Sequence, residues 1–273
     1  MDSPPVLALL RALREAGAEP PASTTKVDLR EYFLDADDQG ELHTSTAHAV
    51  AALAEYFERR STGRLLRPSR LFLHQNALRL GPMASERGVD LRTMFKGLVR
   101  CGSPPERLWP YDAERLTLTP DALLYSYRTP YESAIYVRLD GRRGGGEATL
   151  RTVKSYLAAG FPVAFGFAVP NSLEDDGIIP YRPTYDSLIG GQTVLAVGYN
   201  DRWLRSSRGA LLIRNSWGRN WGEAGYGWLP YAYVEEQLAL DFWTLLQPDW
   251  VRSGEFDLPL SPSAAVRPGK GVN

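Results

Sequence analysis

From Phe161 onward the chain is a succession of short β-branched and aromatic runs set off by turn residues: "FPVAFGFAV", "QTVLAVGYN", "GALLIRNSWG", "GYGWLPYAYV" and "DFWTLLQ". Runs of this length bounded by Gly, Pro, Asn and Asp are strands, and together they call for a mainly antiparallel sheet. The first half carries the other period. "STAHAVAALAEYFERRSTG" places Ala47, Val50, Ala51, Ala54 and Phe57 on one stripe, with Thr44 or Ser45 as cap and Gly63 as stop. "RPSRLFLHQNALRL" and "GVDLRTMFKGLVRCG" are further helices, "TLRTVKSYLAAG" is a last short one, and "VDLREYF" is an extended entry segment. Helices gathered ahead of strands predict an α+β fold of two unlike lobes, helical over about 40–112 and β over about 130–247, with a cleft between them. Residues 1–26 form an extension with a helix over 5–16, where Val6, Leu9, Leu10 and Leu13 have helical spacing. Residues 248–273 show no periodicity, hold several Pro and Gly, and are expected to be a disordered tail.

With 273 residues the chain can bury a large core, and a formal net charge of −1 supplies no field that would attract nucleic acid or an anionic membrane. Neither partner is expected. The single cysteine, Cys101, permits no intramolecular disulfide and no cysteine-rich metal cluster, so no metal and no cofactor are expected. The opening "MDSPPVLALLRALREAGAEPP" lacks a basic start, and Arg11 and Arg14 interrupt its apolar run. No later segment offers the roughly 18 uninterrupted apolar residues of a membrane span, so a cytoplasmic location is expected.

Among the strands one polar residue is out of place. Gln192 opens the run "GGQTVLAVGYN", at a strand entrance where a side chain reaches an open cleft. The segment "IRNSWGRNWGEAGYGWLP" explains why that position matters. It closely resembles the Asn-Ser-Trp-Gly…Trp-Gly…Gly-Tyr signature of the papain-like cysteine peptidases, family C1. In that family the asparagine orients the catalytic histidine and the following tryptophan shields their hydrogen bond; the matching positions are Asn215 and Trp217, with Trp221 in the second Trp-Gly. "DDQG" followed by "TSTAHAVAAL" resembles the segment carrying the oxyanion glutamine and the nucleophilic cysteine, and Gln39 lies six positions before Ser45, the family's spacing. "PPERLWPYD" is similar to a Pro-Glu-x-x-Trp-Pro-Tyr stretch of many members. "GGQTVLAVGY", with Gly190 and Gly191, is similar to Gly-Gly-His-Ala-Val-Leu-Ala-Val-Gly-Tyr. The resemblance runs from about Val27 to about Gln247. It implies a papain-like domain over 27–247, with a helical N-terminal lobe, an antiparallel barrel-like β lobe and an interlobe cleft lined by His43, Thr44, Gly190, Gly191, Trp217 and Trp221.

The departures fall on the chemistry. Ser45 stands at the nucleophile position and Gln192 at that of the histidine. A cysteine at a helix N-terminus becomes a thiolate because the helix dipole and a neighbouring imidazolium lower its pKa. A serine hydroxyl is far less acidic and needs a general base, and a glutamine amide neither takes nor gives a proton near neutrality. Losing either half of such a pair costs on the order of a million-fold in turnover, and the two losses do not add. The sequence therefore predicts no peptidase, with Gln39, Ser45, Gln192 and Asn215 as degenerate active-site positions and Asn215 bonded to Gln192 instead of a histidine. What remains is a non-catalytic module that binds a peptide or protein, or serves as a scaffold. The enzyme alternative is a weak serine hydrolase or acyltransferase in which a base such as His43 serves Ser45.

Other candidates have plainer readings. His43 replaces a small residue of the family motif and is expected to fill the specificity pocket, while His48 and His74 pack within the helical lobe. Cys101 in "VRCGSPPE" has no histidine near it in sequence, and the acidic turn "NSLEDDG" is expected to be solvated and not metal-ligating.

Overall fold

Two kinds of segment alternate in the burial pattern: helices with one or all faces buried and strands of which several have little exposure on either face. The computed structural model describes residues 24–81, 88–132, 134–141, 145–203 and 208–246; the helix expected over 5–16 and the tail over 248–273 lie outside them. In chain order the elements are β1 (Lys26–Asp28), a 3-10 turn (Arg30–Tyr32), α1 (Ser45–Thr62), α2 (Arg70–Leu80) and α3 (Leu91–Cys101). Two 3-10 segments (Ala113–Arg115 and Ala122–Tyr131) lead to β2 (Ile135–Arg138), α4 (Gly146–Ala158), β3 (Val163–Pro170) and β4 (Leu188–Asn200). They are followed by β5 (Ala210–Arg214), β6 (Tyr226–Pro230), α5 (Ala232–Glu235) and β7 (Ala239–Leu246). No helix among the described residues is long and apolar enough to cross a membrane.

The strands form one antiparallel sheet in the order β2-β7-β3-β4-β5-β6, with β1 continuing along β4 where β3 has ended. The sheet is open, and this corrects the barrel-like lobe expected from the resemblance. The β6 edge that closure would need is taken by the loop between β3 and β4, since Ile179 N donates to Trp228 O at 3.0 Å and Trp228 N to Gly177 O at 2.7 Å. Two smaller expectations also change. "GYGWLPYAYV" is a strand only as far as Pro230, which has no N–H for a ladder; Tyr231 then turns helical and opens α5. The short edge strand β2, with its charged Arg138, carried too little apolar pattern to be read in the sequence.

β4 is the spine of the sheet. Val194 to Val197 are all at most 1% exposed, and α1 and α4 both pack on the strand, which is why its sequence is continuously apolar and does not alternate. α1 is buried all round from Thr46 to Phe57, and Ala47, Ala51 and Ala54 keep it slim enough to sit in that position. It ends where Gly63 adopts φ +69°, a left-handed conformation in which its N–H reaches Arg59 O at 2.9 Å. One apolar core joins the helical and β parts, with Val50, Leu53 and Phe57 of α1 in the same cluster as Phe165 of β3 and Leu195 of β4.

The strand-poor segment before α1 is held by charge. Asp37 pairs with Arg70, with Arg67 at 3.1 Å and with Arg214 at 3.7 Å, and Arg70 also pairs with Glu106 at 3.0 Å. Burial alone would raise the Asp37 carboxyl, but Arg70, Arg214 and Arg67 outweigh it and hold it below the usual carboxylate range. Backbone bonds complete the attachment: Gly218 N donates to Asp37 O at 3.0 Å and Gln39 N to Ser216 O at 2.8 Å. The loop before α1 is thereby laid along the loop after β5.

Candidate functional site

That attachment delivers Gln39 to the end of β5, next to Asn215 and Ser216, while β4 brings Gln192 from the other side. The Gln192 amide is 6% exposed, and its Nε2 lies 2.9 Å from Asn215 Oδ1, 3.0 Å from Gln39 Oε1 and 3.2 Å from Ser216 Oγ. Two N–H groups face three acceptors, so one hydrogen is shared between two of them. Ser216 Oγ donates in turn to Gln39 Oε1 at 2.6 Å, and Ser216 N donates to Asn215 Oδ1 at 2.8 Å. The contact expected between Gln192 and Asn215 is thus present, and Gln39 has joined it. None of these four side chains titrates near neutrality.

Ser45 is the first residue of α1. Thr44 precedes it as the cap residue, but its hydroxyl does not cap the helix; it bonds to Tyr111 Oη at 2.6 Å, and Tyr111 Oη donates to Gln39 O at 2.8 Å. No acidic residue occupies the first turn of α1, so nothing charged on the helix itself offsets its N-terminal dipole. Ser45 Oγ accepts from Thr193 N at 3.3 Å. That is the hydroxyl's one bond in the structure among the described residues; no imidazole, carboxylate or amine is bonded to it. Gln39 Nε2 donates to Leu42 O at 3.0 Å, which leaves one N–H of the amide for anything in the cleft.

These residues open onto a polar slot of about 290 Å³ lined by Gln39, His43, Ser45, Thr46, Gly88, Val89, Asp90, Gly191, Gln192 and Thr193. His43 lies exposed at its rim. Thr44, Gly190, Asn215, Trp217 and Trp221 are not part of the lining. Asn215 stands behind Gln192, and the two tryptophans meet edge to face at 5.4 Å, Trp221 buried and Trp217 half-buried. Gly190 and Gly191 are exposed on β4. β5 joins β4 only from Leu195 onward, so the second edge of Leu188–Gln192 carries no strand among the described residues. A larger depression of about 770 Å³, with Glu174, Arg182 and Trp203 in its walls, shares no residue with this site, and the chemistry of the side chains favours the smaller slot.

Sequence reasoning missed Ser216, Thr193 and Asp90. Ser216 was in view inside "NSWG", and Asp90 carried a cap signal that its bond from Thr93 N at 2.9 Å fulfils. His48 is buried on α1, its Nδ1 3.0 Å from Thr44 O, and burial, with Arg70 second, pushes its pKa down to about 4. His74 is buried in α2, and burial pushes it down to about 4 as well. Cys101 ends α3 half-buried, and burial pushes its thiol up against the pull of Arg128, Arg100 and Arg79. Among the described residues no group of three or more His, Cys, Asp or Glu is placed to hold a metal ion. In the acidic turn, Asp176 Oδ1 accepts from Ile178 N at 2.8 Å.

A sequence profile described as "Papain family cysteine protease" matches residues 120–236, which include Gln192 and Asn215. An uncharacterised peptidase C1-like protein of Acanthamoeba polyphaga mimivirus is 33% identical over 217 residues, covering 76% of this chain and 68% of the relative. Among solved structures, xylellain, a cysteine protease from Xylella fastidiosa, superposes with a TM-score of 0.71 at 32% identity over 84% of this chain and 88% of its own. A procathepsin B of Trypanosoma congolense superposes with a TM-score of 0.62 at 17% identity over 82% of this chain and 77% of its own, a likeness of fold alone.

Proposed function

The chain belongs to the papain family of cysteine proteases, and from that membership we propose that it is a non-catalytic member whose cleft binds an extended peptide or protein segment. The observation that carries this reading is the Gln192 amide, buried and bonded to Gln39, Asn215 and Ser216 at once. A group at that position has to shuttle a proton to the leaving amine, and an amide has none to give. Among the described residues Ser45 Oγ is bonded only from Thr193 N, with no base bonded to it to activate it. Binding and oxyanion contacts alone leave roughly a thousand-fold advantage over water, too little for a peptidase.

Binding is supported by what the cleft retains. The second edge of β4 over Leu188–Gln192 offers backbone groups to an added strand, and Leu188 and Ile189 are exposed apolar residues along it. The test pairs two measurements on the native protein: hydrolysis of fluorogenic peptides, and capture of extended peptides from a displayed library. No turnover together with capture that Gly191→Trp abolishes is the expected result. Turnover that Ser45→Ala removes would overturn it.

A second reading, a weak serine hydrolase or acyltransferase, is favoured by one arrangement: His43, Ser45 and Asp90 line the same slot. Labelling by a fluorophosphonate, lost in Ser45→Ala, would move the assignment to that class.

A further inference from the structure

The slot beside Ser45 is polar on nearly every side, and Asp90 is the one carboxylate in its lining. Asp90 closes the loop ahead of α3 and caps that helix, its Oδ1 accepting from Thr93 N at 2.9 Å. The second oxygen is left over. Among the described residues no Lys, Arg or His is paired with this carboxylate, and no bond joins it to His43 at the rim. Nor is its charge cancelled nearby. Asp241 of β7 has its carboxyl raised first by burial and then by the charges of Asp140 and Asp90, against the pull of Trp243 and Arg138. Arg138, the cation acting there, is itself bonded to Asp140 at 2.9 Å.

These surroundings sort the side chains that a bound segment could place in the slot. At about 290 Å³ it has room for one long side chain. An apolar one would find Val89 as the only sizeable apolar wall and would strip water from Asp90 and the hydroxyls without replacing their bonds. An acidic one would meet Asp90 as a like charge. A basic one lays its stem along Val89 and brings its head to the free oxygen of Asp90. Thr46 Oγ1 and Thr193 Oγ1 bond to each other at 3.1 Å and keep lone pairs for the remaining N–H groups of that head. The head of α1 has the opposite polarity, since no acidic residue stands in its first turn, so it suits a backbone carbonyl of the ligand.

We infer that the slot selects a basic side chain: a lysine or arginine of the bound segment enters it with the cationic head on Asp90. The inference rests on the reading of the cleft as a peptide-binding site and names the class of segment that it takes, one with a basic residue at a fixed position. Asp90 is then the residue that determines specificity, and it does so whether or not any turnover accompanies binding.

The test uses the native chain and a displayed library of extended peptides. Sequencing of the captured peptides is expected to show arginine or lysine enriched at one position. The leading peptide, labelled with fluorescein and made with arginine or citrulline at that position, is then titrated by fluorescence anisotropy. Citrulline keeps the shape of arginine without its charge and is expected to bind about tenfold more weakly, the lower end for one charge-assisted hydrogen bond at an exposed carboxylate. In Asp90→Asn, which keeps a capping side chain on α3, the arginine peptide is expected to fall to the level of the citrulline one. Glu174→Gln, in the separate larger depression, should change neither. Captured peptides without a basic preference, or equal affinities for the arginine and citrulline forms on the native protein, would overturn the inference and leave peptide binding standing; this comparison needs no variant to fold. A difference that persists undiminished in a folded Asp90→Asn would overturn it as well. Capture of no peptide at all would remove the binding reading, and this inference with it.

Discussion

Restoring the two missing side chains together, Ser45→Cys with Gln192→His, is expected to produce a slow cysteine peptidase. The partners are already within reach. Residue 45 heads α1, where the helix dipole favours a thiolate, and its Oγ is 3.3 Å from the backbone N of Thr193, the residue after position 192. Asn215 Oδ1 is held by Ser216 N at 2.8 Å and already accepts from residue 192 at 2.9 Å, so an imidazole N–H would find its orienting group in place. The expected gain is less than the whole loss. Nucleophile and base together are worth on the order of a million-fold, but one oxyanion donor is worth about a hundred- to a thousand-fold. Gln39 has one Nε2 hydrogen on Leu42 O and has turned its Oε1 towards Ser216 and residue 192. With one of that donor's two hydrogens taken by Leu42 O, the double variant should exceed the native protein by about a thousand- to ten-thousand-fold in turnover. Each single substitution should gain less than about tenfold, because neither half of the pair works alone. Hydrolysis of a dipeptidyl coumarin, with iodoacetamide alkylation to report the thiolate, measures both quantities. A folded double variant whose thiol alkylates readily at neutral pH but which hydrolyses nothing would refute the geometric reasoning. Native turnover within about tenfold of the double variant would refute the loss of chemistry itself.

Three further outcomes can be checked by urea unfolding. Gln192→Leu removes two donor hydrogens, yet Asn215 Oδ1 keeps Ser216 N and Gln39 Oε1 keeps Ser216 Oγ, so the expected cost is only about 2 kcal/mol, one for each net bond; an unchanged or higher stability would mean the cluster does not hold the loops. Asp37→Asn leaves Arg67, Arg70 and Arg214 around a neutral amide, and about 3 kcal/mol of destabilisation is expected; a loss below about 1 kcal/mol would contradict the buried pairing. His48 and His74 are lowered to about 4 in the folded chain, chiefly by burial, so the unfolded chain takes up their protons first. Stability from each is full above the unfolded value near 6.5 and falls as pH drops towards about 4, by at most about 3 kcal/mol per histidine. His48→Phe should flatten that fall, and an unaltered pH slope would count against it.

The architecture was legible wherever periodicity was strong. α1 announced itself by its stripe and by Gly63, and β3, β4 and β7 by continuous apolar runs, because burial on both faces leaves no room for polar residues. Closure of the sheet was not legible, since it depends on the loop through Ile179 reaching the β6 edge first, a contact between segments that carry no common pattern. At the site, the resemblance to the papain family pointed to Gln39, Ser45, Gln192 and Asn215, but not to which way each amide faces. The inward turn of Gln39 follows from Ser216 and Leu42, neutral partners whose roles exist only once the two loops are laid together.

The laying of the Asp37–Gln39 strip along Ser216–Gly218 has a consequence for how such a chain can change over time. Gln39, Asn215 and Ser216 act here as a fastener between segments more than 170 positions apart, independently of any turnover. A lineage that gave up hydrolysis could exchange the thiol and the imidazole cheaply, each being one side chain in the lining of the slot. It could not discard the fastener without loosening the loops that give the cleft its shape. On the non-catalytic reading we propose, the loss of chemistry is written in two letters, while the surrounding motif persists as joinery.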